Sequence, residues 1–298
     1  MTAQHSYDAA GVSLATAATI VERLKAAAES TGATGFGAFA GLHPLDGERL
    51  LAASTDGVGT KLILARERGR LNDCGADLAA HCINDVATCG ADPLILLDYV
   101  AANAIRLDEI VDLVEGAAAV CRTAGVALVG GETAELPGIY AEGELDFAGT
   151  CVGIVARENL IDGSTIVPGD VIVGFPSAGL HANGFTLARR VLEDESYDGD
   201  DLLAPTRLYL DTARALRGRA KAFVHVTGGG LQGNTDRVLP AGRVATFDWD
   251  SWQRPPVFGW LARHVDEDEL RRVFNLGIGW CAIVAEPADG ELVIGTVT

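Results

Sequence analysis

Apolar residues along this chain fall into alternating helical and strand periods, most clearly over the first 156 positions. "SLATAATIVERLKAAAE" (13–29) opens on a serine suited to cap a helix and carries Ile20, Val21 and Leu24 on one face. A glycine-rich loop, "TGATGFGAF" (31–39), precedes "ERLLAAST" (48–55), which reads as a strand. "GADLAAHCINDVATCG" (75–90) predicts a helix closed by Gly90, and "PLILLDYVA" (93–101) a buried strand. "LDEIVDLVEGAAAVCRTAG" (107–125) combines an aspartate cap, an apolar stripe and a terminal glycine. "VALVGGETAELPG" (126–138) is a strand running into a polar turn, and "LDFAGTCVGIVA" (145–156) is another strand. Turn residues and a Pro-Gly pair in "RENLIDGSTIVPGD" (157–170) mark a boundary, giving an N-terminal domain over 1–163 and a C-terminal domain over 164–298. The second half restarts with the strand "DVIVGF" (170–175) and a helix near 184–194. The acidic "EDESYDGDD" (193–201) is expected to be a solvated loop.

Composition narrows the classes. With 48% hydrophobic residues in 298, the chain can bury a sizeable core. No run approaches the roughly 18 apolar residues of a membrane span, and "MTAQHSYDAAG" has no secretory character, so a cytoplasmic protein without membrane partners is expected. Six cysteines lack any CxxC pair, and Cys82 and Cys89 read as buried thiols on the 75–90 helix. A net charge of −18 argues against nucleic-acid binding. It also means that an anionic ligand would need glycine-loop amides, helix N-termini or a divalent metal to offset repulsion.

Four apolar strands end in polar, glycine-rich motifs: "STDGVGTK", "LVGGETAELPG", "GFPSAGLHANG" and "HVTGGG". Strand ends followed by glycine turns are where ligands meet backbone amides, and four together point to a phosphate-handling site. "DGVGTK" lacks the GxxxxGK[ST] spacing of a Walker A loop, and no strand is followed by GxGxxG. It does hold an acid for a metal (Asp56), amides and a hydroxyl for phosphate (Gly57, Gly59, Thr60) and one of only three lysines, Lys61. Asp85, Asp98 and Glu132 suit the same metal role, and Gly130 and Gly131 precede Glu132. Taken singly, Asp56 could cap a turn, and Asp85 or Asp98 a helix or an arginine. His181 and Asn183 stand among glycines, where His181 either serves chemistry or caps the next helix. His225 is equivocal, and Gly228, Gly229 and Gly230 form a chain of bare amides suited to a phosphate.

With these residues assembled, the chain resembles the phosphoribosylformylglycinamidine cyclo-ligase family, also called aminoimidazole ribonucleotide synthetases. "STDGVGTKL", "INDV", "GADPLILLDY", "VGGETAELPGIY", "DFAGTCVG", "GLHANGF", "LLAPTRLY", "TGGG" and "FNLGIG" run in family order across nearly the whole chain. "GGETAELPGIY" and "LLAPTRLY" are the specific ones, and "LLAPTRLY" separates this family from selenophosphate synthetases and thiamine-monophosphate kinases. The resemblance implies a two-domain α+β and α/β fold and a homodimer. N-terminal halves would share a β-barrel, and a C-terminal α/β layer would complete the substrate cleft. It also implies ATP with Mg2+, and ring closure of formylglycinamidine ribonucleotide.

On that reading Asp56, Asp85 and Glu132 hold magnesium, and Asp56, Gly57, Gly59, Thr60, Lys61, Asp98, Gly130, Gly131 and Glu132 form the nucleotide site. Lys61, Asp85 and His181 are catalytic, Lys61 by offsetting charge on the transferring phosphoryl group. His181, Asn183 and Gly228 to Gly230 meet the substrate. Two departures stand out: Gly233 replaces an acid that many members carry after "TGGG", and "CAIVAEPADG" passes almost directly to "ELVIGTVT" where the family has a helix. A small-molecule phosphotransferase of the same superfamily, or an inactive nucleotide-binding regulator, remain as other readings.

Overall fold

The structure, a computed structural model, describes residues 5–32 and 38–298. Most of the 31–39 loop lies outside the described residues. Helix α1 (Leu14–Glu29) is capped by Ser13, whose Oγ accepts from the Thr16 amide at 3.2 Å. Its stripe of Ile20, Val21 and Leu24 faces solvent.

The first sheet contains β1 (Gly41–Pro44), β2 (Arg49–Gly57), β3 (Asp92–Ala102), β4 (Ala127–Glu135) and β5 (Leu145–Ala156), in the order β1-β2-β5-β3-β4. Only β3 and β4 run parallel. The period-2 pattern sends Leu50, Ala52, Leu96, Val100, Phe147 and Cys151 to one face, where they are buried. Helix α3 (Leu71–Ala87) lies across that face, and α4 (Leu107–Ala124) packs on α3. The opposite face is open: Leu97 and Tyr99 are each 38% exposed and Val129 is 55% exposed. The 93–101 strand is therefore buried on one side only within a single chain. Helix α3 also starts at Leu71, a turn earlier than the spacing predicts.

The second sheet is wholly antiparallel. It contains β6 (Val171–Pro176), β7 (Ala220–His225), β8 (Ala245–Phe247), β9 (Ile278–Val284) and β10 (Val293–Val297), in the order β7-β9-β6-β10-β8. Every residue of β9 is buried, as a central strand covered on both faces requires. Around it lie α5 (Phe185–Asp194), α6 (Leu210–Leu216), α7 (Gly230–Asp236), α8 (Pro256–Leu261) and α9 (Glu267–Val273). A turn and no helix joins β9 to β10, as the abbreviated sequence implies. Among the described residues no helix is long and apolar enough to cross a membrane.

The acidic 193–201 stretch is exposed at Glu193, Asp194, Ser196, Asp198 and Asp200, as expected, but Glu195, Tyr197 and Asp201 pin it to the fold. Tyr197 stacks on Trp260 at 5.0 Å, and its hydroxyl donates to Asp201 at 2.7 Å. Asp201 accepts from the Val257 amide at 2.8 Å, and Glu195 pairs with Arg263 and His264. Through Glu195, Tyr197 and Asp201 the segment straps α5 to α8.

Helices α3 and α4 approach backbone to backbone through Gly75 and Gly116. A Cβ on Gly75 would sit 1.9 Å from the Leu113 carbonyl, and one on Gly116 would sit 1.9 Å from that of Asn72. Gly116→Ala gains helix propensity of up to about 1 kcal/mol, but overpacking against rigid backbone costs about 1–3 kcal/mol. We expect a lower urea midpoint for Gly116→Ala; an unchanged or raised midpoint would show that the helices part freely.

Candidate active site at the junction of the two sheets

One face of α3 carries Asp77, His81, Asn84, Asp85 and Thr88 at helical spacing, all of them buried. Buried polar groups must be partnered, and the partners come from both domains. Asn84 Nδ2 donates to the Arg207 carbonyl (2.8 Å), and its Oδ1 accepts from the Tyr209 amide (2.8 Å). Asp77 Oδ1 accepts from both the amide and the hydroxyl of Thr206 (2.7 and 2.8 Å). The "LLAPTRLY" segment is thereby docked on α3.

Lys61 begins α2 (Lys61–Glu67) and is completely buried. Its ammonium lies 2.5 Å from Asp77 Oδ2 and donates to the carbonyls of His181 (2.9 Å) and Ala204 (3.1 Å). All three of its protons are committed. The expected role in offsetting charge on a transferring phosphate is therefore corrected: Lys61 ties the two domains together. The adjoining loop remains open. Gly59 and Thr60 line a cavity of about 570 Å3 with Arg66, Tyr140 and Asp146, and Thr60 Oγ1 meets Thr186 Oγ1 at 2.9 Å. Gly57 donates its amide to Asp56 Oδ1 at 2.7 Å.

His181 is also corrected. It is 1% exposed and held at φ 63°, a left-handed conformation costly for a residue with a Cβ. Its Nε2 accepts from the Ala178 amide at 3.1 Å, and burial, reinforced by His225 and Lys61, pushes its pKa well down. The imidazole is neutral and enclosed. Asn183 is half-buried and reaches Gly228, so the two loops expected to hold substrate do meet. Gly229 caps α7, whereas Gly230 packs against α9: a Cβ there would lie 1.9 Å from the Arg271 carbonyl. Gly233 faces open solvent on α7, where an acidic side chain would have room.

The acids divide into two groups. Asp56, Gly149, Asp98 and Gly131 lie opposite one another across β2, β5, β3 and β4, so Asp56 and Asp98 share the helix-covered face about 10 Å apart. A Cβ on Gly131 would fall 2.5 Å from Asp98 Oδ1, which is why Gly131 has none to offer. Glu132 pairs with Tyr99 and lies on the other face. Asp85 points inward, its Oδ1 accepting from His225 Nδ1 (2.7 Å) and its Oδ2 from Ser54 Oγ (3.1 Å). The expected trio of Asp56, Asp85 and Glu132 therefore does not converge within one chain.

Two histidines not placed in the site from sequence occupy its centre. His81 Nε2 lies 2.9 Å from Asp56 Oδ2, and the His81 and His225 rings meet edge to face at 4.7 Å. Burial alone would lower the His81 pKa, but the charge and hydrogen bond of Asp56, aided by Asp85 and Asp77, raise it to about 9. For Asp56, burial is outweighed by the same pairing, which holds its carboxyl below the usual range. Burial takes the His225 pKa down, opposed in part by Asp85. Burial raises that of Asp98, beside which no basic side chain stands among the described residues. The His81–Asp85 spacing of one helical turn was the available signal, in "HCIND".

Two five-stranded sheets joined along a buried polar seam place the chain in the class of AIR synthase related proteins. Residues 37–155 match the model of the AIR synthase related protein N-terminal domain, and 167–294 that of the C-terminal domain. The chain is 45% identical to phosphoribosylformylglycinamidine cyclo-ligase of Synechococcus sp. strain CC9605, over 96% of this chain and 89% of the relative. For that of Sorangium cellulosum strain So ce56 the figures are 46%, 95% and 89%. The chain belongs to the phosphoribosylformylglycinamidine cyclo-ligase family. The fold is shared with AaThiL complexed with AMPPCP and TMP (TM-score 0.67, 14% identity, 92% of this chain and 89% of that one). It is shared as well with T. maritima PurL complexed with ADP (0.60, 19%, 89% and 42%).

Removing one member of a buried ion pair leaves the other uncompensated, at about 3–5 kcal/mol. Lys61→Met is expected to destabilise by that amount in urea melts, with partial recovery in Lys61→Met/Asp77→Leu; full stability in the single variant would place the ammonium in solvent. The His81 shift sets a pH window. His81, facing Asp56, Asp77, Asp85 and His225, stabilises fully below about 6.5 and loses that contribution as pH rises through about 9. The wild type should lose on the order of 3 kcal/mol between those limits relative to His81→Leu. Parallel stability curves would mean His81 is neutral throughout.

Proposed function

We propose that this chain uses ATP to close formylglycinamidine ribonucleotide into aminoimidazole ribonucleotide, releasing ADP and phosphate, in the cytoplasmic synthesis of purines. The observation that carries this reading is 45% identity along 96% of the chain to a cyclo-ligase. Nucleotide use is supported by AMPPCP and ADP in structures of the same fold, and by a cavity of nucleotide size beside Gly59 and Thr60.

Asp56 and Asp98 are the oxygen ligands that would hold Mg2+ on the phosphates, with Gly59, Thr60, Gly130 and Gly131 offering amides and a hydroxyl. The fit rests on Asp98, a half-buried carboxyl raised by burial, without a basic partner among the described residues, beside a glycine whose Cβ would fill its slot. Magnesium supplies neutralisation of charge on the transferring phosphoryl group. The formyl oxygen is a poor leaving group; once phosphorylated it departs as phosphate when the neighbouring nitrogen attacks the carbon. The proton that nitrogen sheds leaves with the departing phosphate. Asn183 and Gly228, where the two loops meet, form the substrate side.

The open face of Leu97, Tyr99 and Val129 fits a homodimer in which two first sheets close into a shared barrel, with Glu132 on that interface. Light scattering should give twice the 31.0 kDa chain mass, falling to the single mass in Leu97→Asp; a monomeric wild type would remove the barrel. Incubation of formylglycinamidine ribonucleotide with Mg-ATP should yield the aminoimidazole product. With 18O in the formyl group, label should appear in the released phosphate, and unlabelled phosphate beside labelled water would sink the phosphorylated route.

A further inference from the structure

We infer that His81, Asp85 and His225 form a site for a first-row transition-metal dication, distinct from the magnesium that would accompany the nucleotide. Each residue offers one ligand atom, and the three atoms lie within 4.8 Å of one another. Exposures of 4%, 7% and 1% place the three behind the rim acid Asp56, whose side chain is 38% exposed.

The donor set decides the metal. Two imidazoles and one carboxylate match zinc, iron, cobalt or nickel, whereas magnesium takes oxygen ligands and keeps its waters. His81 and Asp85 stand one turn apart on α3, a rigid element, and His225 ends the buried strand β7. The supports that orient metal ligands are also in place. Asp56 Oδ2 holds the Nε2 proton of His81 (2.9 Å), so the proton that a metal displaces is the one on Nδ1, an atom that is buried and has no hydrogen-bond partner among the described residues. Ser54 Oγ holds Asp85 Oδ2 at 3.1 Å.

Only one bond has to change. His225 Nδ1 and Asp85 Oδ1 now share a proton across 2.7 Å. A metal at about 2.1 Å from each would replace that proton, with the pair opening to about 3 Å between neighbouring ligand positions. That proton moves to His225 Nε2, so that His225 binds as a neutral imidazole, and the Nδ1 proton of the His81 imidazolium leaves to solvent. Three protein ligands leave further positions for water or an oxygen of a bound molecule. Asp85 and Asp56 supply local negative charge for a dication.

Tag-free, full-length protein stripped with EDTA and titrated with CoCl2 in excess MgCl2 tests this independently of any turnover. One Co2+ per chain is expected, with visible absorption and an X-ray absorption signature of two imidazoles and oxygen but no sulfur. His81→Leu should weaken Co2+ binding about 100-fold or more, judged against the loss that even supporting residues cause. Asp85→Asn, checked by circular dichroism, serves as the second variant if the first does not fold. Absence of stoichiometric Co2+ in the folded wild type, sulfur in the coordination shell, or unchanged affinity in a folded variant would overturn the site.

Discussion

The Lys61–Asp77 pair is the constraint on which the two-domain arrangement depends. Both side chains are fully buried, and taking two charges out of water costs several kcal/mol each before their attraction returns anything. That cost is tolerable only because every remaining donor and acceptor is used: two carbonyls from the second domain take the ammonium's other protons, and Thr206 satisfies the far carboxylate oxygen twice. Such a pair adds little stability over a hydrophobic isostere. Its requirement is directional, so the loops at 178–184 and 202–209 have one acceptable placement on α3. An apolar seam would permit sliding; this one does not.

From that anchorage follow the features of the cleft. The His181 carbonyl is held by Lys61 while its ring is held by the Ala178 amide, and between them they keep a left-handed backbone that a residue with a Cβ avoids. The strain positions the turn that brings Asn183 to Gly228. His181 thus shapes the 178–184 loop from behind, and the buried cluster of His81, Asp85 and His225 lies where α3 meets the end of β7.

Much of this was legible in the sequence because it depends on local rules. The strand at 145–156 and the helix ending before Gly125 have the predicted bounds, since alternation and a left-handed C-terminal glycine are properties of the segment itself. The motifs containing Asp56 and Gly228 were readable as strand-end turns for the same reason. What escaped depends on partners far along the chain. A lysine after "DGVGT" is compatible with solvent or with a buried acid sixteen residues on, and only the fold of α3 over β2 decides. Glu132 was lost to parity: the irregularity between Leu96 and Leu97 inserts one residue in β4, so Glu132 aligns with Tyr99 and not with Val100, whose face Asp98 shares. His81 escaped because the stripe it belongs to is buried against polar partners from the other domain.

The net charge of −18 also takes on a sharper meaning. An acidic protein that binds an anion need not be acidic where the anion sits, and here many carboxylates near the seam are already matched. Asp77 has Lys61, Asp56 has His81, Asp92 has Arg214 and Arg217, and Asp170 has Lys221. Asp98 stands apart: half-buried, raised by burial, and without a basic partner among the described residues. A carboxyl in that condition is either protonated, forfeiting its charge, or completed by a cation from outside. Gly59 and the Gly130–Gly131 pair within β4 flank the same row of the sheet, and backbone amides there suit phosphate oxygens. Cation and phosphate together satisfy both sides at once, whereas either alone leaves a charge exposed to the other. The excess of acid is thus a demand for a particular pairing, concentrated at one row of four strands.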